Sequence, residues 1–124
     1  MKNKPRKVFE RVYIHAAKVQ TKEGWVLVVH SMDAFSEFAF KAVLYKSLQI
    51  TLDVLNELFD NIFKEYKPLF HPKHIVFITN ISEEFEPLFK QTKASHHKFI
   101  FNKEATASGM EVLLKGMPYN MAEL

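Results

Sequence analysis

The sequence predicts an α/β domain in which a meander of three antiparallel strands leads into alternating helices and strands. Three observations predict it. The first part of the chain alternates apolar and polar residues in runs separated by turn residues, the signature of hairpins. From Thr51 onward the apolar residues recur at helical spacing instead, and short β-branched or aromatic runs separate the helical stretches. The 124 residues are enough for one domain with a real core, and no linker, repeat or compositional break divides them. A single domain over 1–124 is therefore expected, with 1–8 as a basic tail.

Taken in order, Phe9 to Val19 reads as a strand with Val12, Ile14 and Ala16 on one face and Arg11, Tyr13 and His15 on the other. Thr21-Lys22-Glu23-Gly24 reads as a hairpin turn closed by glycine. Trp25 to His30 is a continuous apolar and β-branched run ending in His30, which predicts a strand covered on both faces. Phe38 to Leu44 is the expected third strand. Thr51 is placed to cap a helix, with Asp53 in its first turn, and Leu55, Leu58, Phe59, Ile62, Phe63 and Tyr66 form its apolar face up to Pro68. His74 to Thr79 reads as a short buried strand, parallel because a helix precedes it. Ser82 to Thr92 is an expected helix in which Pro87 is tolerated only near the start. Lys98 to Phe101 is a fifth strand, and Thr106 to Lys115 a last helix ended by Gly116.

Composition excludes several classes. A hydrophobic content of 48% with 12 Phe is incompatible with a disordered chain, and 3 Gly with 5 Pro rule out collagen-like sequence. The longest apolar runs, such as Trp25 to Val29, are far shorter than the ~20 residues of a membrane span. No apolar signal-peptide region follows the basic start, so no membrane partner is expected. The lack of cysteine removes disulfides and thiolate metal sites and fits a cytoplasmic protein. The net charge of +3 favours polyanions mildly. Lys2, Lys4, Arg6 and Lys7, with Arg11, form one basic cluster, which reads first as a solvated tail and second as a weak salt-dependent DNA contact.

Three local words then bear on function. Asp33-Ala34-Phe35-Ser36-Glu37 resembles the Asp-x-Phe-Ser-Arg word that opens the third strand of many integrases and insertion-sequence transposases, with Glu37 in place of the arginine. Ile75 to Phe85 resembles that family's strand ending in Thr-Asp-Asn-Gly and followed by Glu-Phe, and Ala107-Ser108-Gly109-Met110-Glu111 resembles its Gly-x-x-Glu or Gly-x-Glu region. From about Val12 to Lys115, the words and the element order β-β-β-α-β-α-β-α together resemble the ribonuclease H-like core of retroviral-type integrases and DDE transposases. The resemblance implies a five-stranded mixed sheet of order 3-2-1-4-5 flanked by helices, an origin in a mobile element, DNA as a partner and pairing into a homodimer.

It also implies a chemistry, DNA strand transfer by two Mg²⁺ or Mn²⁺ ions held on three carboxylates. The positions corresponding to those carboxylates are His15, Thr79 and either Glu111 or Val112. At most one carboxylate is left, too little negative charge for two hard cations. A weak transition-metal site on His15, Thr79 and Glu111 is the lesser alternative. No cofactor is therefore expected, and the resemblance points to a pseudoenzyme retaining nucleic-acid binding or self-association. Ile81 stands where the family has a loop glycine, and Asp33 and Asn80, though retained from the family words, read first as turn and cap residues. His71, His74, His96 and His97 match no zinc-ligand spacing, and Glu83, Glu84 and Glu86 read as a negative first helical turn. The contrasting expectation is a free-standing α/β interaction or regulatory domain with no DNA role.

Overall fold

A computed structural model describes residues 9–64 and 74–103. The described chain forms one five-stranded mixed sheet of order β3-β2-β1-β4-β5 with helices α1 (Leu52–Lys64) and α2 (Glu86–Phe89). The expected last helix, Thr106 to Lys115, the end of the first helix beyond Lys64, and the basic residues Lys2, Lys4, Arg6 and Lys7 lie outside the described residues, as does Glu111.

Strands β1 (Arg11–Thr21) and β2 (Gly24–Asp33) form a long antiparallel hairpin paired from Val12↔Asp33 to Thr21↔Gly24. Its turn is closed by the expected residues. The Thr21 hydroxyl donates to the Gly24 carbonyl at 2.8 Å and accepts the Glu23 N–H at 3.1 Å. Gly24 takes φ +115, a conformation that strains any L side chain. From Leu27 onward β2 is buried on both faces, as its apolar run predicts, with Leu27, Val29 and Ser31 on one side and Val28, His30 and Met32 on the other, whereas Trp25 next to the hairpin turn is exposed.

The third strand differs from the sequence expectation of Phe38 to Leu44. Regular pairing is confined to β3 (Val43–Tyr45), preceded by an isolated bridge between Met32 and Ala39. Asp33 is the cause. Its carboxylate accepts the Ser36 N–H at 2.8 Å, the Ser36 hydroxyl at 2.7 Å and the Phe9 N–H at 2.6 Å, so the chain turns within Asp33 to Glu37. Glu37 sits at φ 61 and donates its N–H to the Asp33 carbonyl. Met32 faces Ala39 while Val29 faces Val43, so four steps along one strand match three along the other. The extra residue is a bulge that breaks the ladder.

Thr51 caps α1 through its hydroxyl, which accepts the Val54 N–H at 3.3 Å, and Asp53 and Lys64 complement the ends of the helix dipole. The buried face of α1 (Val54, Leu55, Leu58, Phe59, Ile62) packs on Val12, Ile14 and Phe77 of the sheet. β4 (Val76–Thr79) pairs parallel to β1, and β5 (Lys98–Phe101) pairs parallel to β4. The expected helix over Ser82 to Thr92 is instead a 3-10 turn, Glu83–Phe85, followed by the single turn of α2 and a series of bends. Pro87 lies at the start of α2, where its missing N–H costs nothing, but its ring keeps the preceding turn from being regular α-helix.

The phenylalanines are core, as their spacing predicts. Phe59 lies 5.2 Å from Phe77, 6.1 Å from Phe89 and 6.2 Å from Phe99 between ring centroids, all edge-to-face. This ring cluster ties α1 and α2 to the parallel half of the sheet. Phe59→Ala is expected to destabilise the domain by about 3–5 kcal/mol in urea unfolding, because the cavity opens beneath three rings that cannot collapse into it. Truncating the exposed Leu44 should change stability by less than about 0.5 kcal/mol.

Candidate functional site

In open α/β sheets the crevice for ligands opens at the carboxyl ends of parallel strands, where the connections leave in opposite directions. Here that point lies between β1 and β4. The chain leaves β1 toward β2 and β3, and leaves β4 toward β5. β4 pairs with β1 only over Arg11 to Ile14, so β1 runs on past it.

Asn80 closes the ladder at this point. Its side-chain oxygen accepts the Ala16 N–H at 2.7 Å and its amide donates to the Ala16 carbonyl at 2.9 Å, while its own N–H reaches the Ile14 carbonyl at 3.3 Å. The side chain therefore acts as one more residue of β-ladder. Asp33 is likewise committed, buried at 1% exposure with its oxygens filled by Phe9 and Ser36. Both polar residues retained from the family words are held in structural hydrogen bonds, Asp33 in the expected turn and Asn80 not as a cap but along the edge of β1.

The structure does not bring His15 and Thr79 together. Ile14 is the partner of Thr79 in the parallel register, so Thr79 points to the face covered by α1. His15 alternates to the opposite face and lies across from His30 on β2. Thr79 is fully buried, and its hydroxyl accepts the Ile81 N–H at 3.1 Å. A cation cannot be shared by side chains on opposite faces of one sheet, so these two positions do not fit the two-metal site that the resemblance implies. Glu111 lies outside the described residues, and the described residues contain no cluster of three or more metal-ligating side chains. Glu83 and Glu84 sit in the exposed first turn after Ser82, whose hydroxyl accepts the Glu84 N–H.

Two buried histidines stand out, His30, which carried no functional expectation from the sequence, and His97, weighed there only as part of an unmatched zinc spacing. His30 is 1% exposed, and among the described residues neither of its ring nitrogens has a hydrogen-bond partner; the same holds for Nδ1 of His15 and the Ser31 hydroxyl. Desolvation, with a smaller contribution from His15, pushes His30 down to about 4, and desolvation also lowers His15. His97 has a clear structural role: its Nδ1 accepts the Ile75 N–H at 3.0 Å and its ring stacks 5.8 Å from Phe63. Burial, helped by His96 and His74, pushes it down to about 4 as well. The sequence signal for His30 was its place within a strand buried on both faces.

No protein-family model matches this sequence, and no curated protein shows significant similarity to it.

Two predictions follow from these contacts. Asn80→Ala removes both bonds to Ala16 and is expected to cost about 2 kcal/mol in urea unfolding. Asn80→Asp keeps an acceptor for the Ala16 N–H but turns a carboxylate toward the Ala16 carbonyl, so it should be worse than alanine at pH 7 and recover on acidification. Equal stability of both variants with the parent would show that the bridge contributes nothing. The second prediction concerns pH. His30 and His97 stay neutral in the fold down to about 4, whereas in the unfolded chain they take up protons near 6.5. Their contribution is intact above 6.5 and is lost as pH falls toward 4, with a slope of up to ~1.4 kcal/mol per pH unit for each. Unfolding midpoints measured from pH 7 to 4 should fall accordingly. His30→Leu should remove part of that slope without loss of stability at pH 7, because it also removes two unpartnered buried nitrogens.

Proposed function

We propose that this domain is a ribonuclease H-like core akin to those of integrases and DDE transposases, one that has lost strand-transfer chemistry and acts by binding nucleic acid. The sheet order β3-β2-β1-β4-β5, with β1 antiparallel to β2 and parallel to β4, is the observation that carries the reading. It is the order that the family words imply; Thr79-Asn80 falls at the end of β4, whereas Asp33 ends β2 and the third strand starts only at Val43.

The opposed directions of His15 and Thr79 support the loss of chemistry. Without two carboxylates converging at the switch point there is nothing to hold a pair of hard cations against a phosphate. The excess of Lys and Arg over Asp and Glu, 17 against 14, supplies the attraction to a polyanion.

The alternative, a protein-interaction domain, is favoured by one observation: Phe35 and Phe38 are 51% and 49% exposed on the loop after β2. Titration of duplex DNA followed by fluorescence anisotropy over a range of salt concentrations separates the two. The proposal expects affinity that falls steeply with salt. It also expects a weaker salt dependence when Lys2, Lys4, Arg6 and Lys7 are changed to Gln. No binding at low salt overturns it. Mn²⁺-dependent nicking of DNA that disappears in Glu111→Ala would overturn the loss of catalysis instead.

A further inference from the structure

Beyond Asn80, no strand among the described residues continues the pairing along β1, and a crevice of about 390 Å³ opens there. That volume falls within the roughly 300–1,000 Å³ range of small-molecule sites. Its walls come from three places in the chain: Ala16 and Leu27 from the hairpin, Leu48 and Ile50 from the approach to α1, and Ile81 and Phe85 from the segment after β4. These side chains make a mostly apolar interior. Among the described residues three polar side chains line it, and all can donate: Lys18 through its ammonium, Gln49 through its amide and Ser82 through its hydroxyl.

Lys18 alternates onto the same face as Ala16, and its cross-strand partner is Leu27, so it stands beside the apolar wall. It is exposed and makes no salt bridge among the described residues. Among the described residues it is the one charged residue lining the crevice; Glu83 and Glu84 follow Ser82 in sequence but do not line it. Ser82 accepts the Glu84 N–H, which leaves its own hydroxyl proton free to donate. An apolar slot with a single unpaired cation and two further donors is complementary to a molecule with an apolar body and one negative end. A polyanion would meet too little charge, and an apolar molecule would leave the ammonium unused.

We propose that this crevice binds small amphipathic monocarboxylates, with the apolar chain against Leu27, Ile50 and Phe85 and the carboxylate at Lys18. The placement at the switch point of the sheet is where α/β sheets offer concave space, since strand ends and helix starts diverge there. Binding there rests on described residues alone, Lys18 and the apolar wall, and does not depend on the nucleic-acid reading.

The test uses octanoate, octanol and octylamine as probes of one chain length, titrated into the isotopically labelled whole chain and followed by amide and methyl chemical shifts. Octanoate is expected to bind saturably, with shifts centred on Ala16, Leu27, Ile50 and Ile81, and to bind more tightly than octanol, with octylamine weakest. Lys18→Gln, an exposed change, should weaken octanoate about three- to tenfold and leave octanol unchanged. Lys18→Glu should reverse the order of octanoate and octylamine. Ala16→Leu should fill the slot and abolish all binding while its unfolding midpoint shows that the fold persists. Absence of saturable binding, shifts centred elsewhere, or equal affinity for octanoate and octanol overturns the proposal.

Discussion

The pairing of β1 on both of its edges is the constraint on which the rest of the structure depends. One edge meets β2 antiparallel over ten residue pairs, which the two-residue turn at Lys22-Glu23 makes a local event. The other edge meets β4 in parallel, across a separation of more than sixty residues, with only Arg11 to Ile14 in register. The hairpin can form from its own sequence, whereas the parallel edge gains its partner only after the loop entropy of a long crossover has been overcome. The aromatic cluster around Phe59 and Phe77 offsets that cost, since it fixes α1, α2 and β4 to each other and to Val12 and Ile14. Asn80 then lengthens a short parallel ladder by borrowing a side-chain amide for backbone.

Much of this architecture was legible in the sequence, for physical reasons that can be named. α1 declared itself through the spacing of Leu55, Leu58, Phe59 and Ile62 and the cap at Thr51, and β5 through the three-residue apolar run Phe99 to Phe101. β2 was legible as doubly buried because no polar residue interrupts Val26 to Val29. β3 was displaced because one buried carboxylate, Asp33, organises a turn that pattern alone shows as ordinary strand start. The helix after Ser82 shrank because Pro87 and the bends after Phe89 leave few consecutive helical hydrogen bonds. In each case the competing signal is a single side chain acting on its neighbours' backbone, and periodicity averages that away.

The candidate site was legible in position but not in orientation. Alternation along β1 fixes which residues share a face with His15, and alternation along β4 does the same for Thr79. The relation between the two faces depends on the parallel register, Ile14 against Thr79, and a shift of one residue would have put His15 and Thr79 side by side. Parallel register is set by packing of crossover helices and rings, not by a turn, so neither strand's sequence states it. His30 was hidden for a related reason. Its burial followed from the doubly covered run, but the lack of hydrogen-bond partners for its ring among the described residues depends on what the finished fold packs there.

The same register explains why the end of β4 suits structure better than charge. With Ile14 opposite Thr79, the residue at 80 falls against the backbone of Ala16, where both an N–H and a carbonyl seek partners. An amide satisfies both, since it carries a donor and an acceptor a bond angle apart; a carboxylate satisfies one and repels the other. One position along, Thr79 is sealed beneath α1, where an ionised carboxylate would be desolvated without a cation to compensate it. A hydroxyl that accepts the Ile81 N–H costs nothing there. In this chain the strand ends are therefore built to complete the sheet. The space that remains, beyond Ala16 and under Ile81, is apolar apart from its rim, so any chemistry of recognition at the switch point must come from that rim.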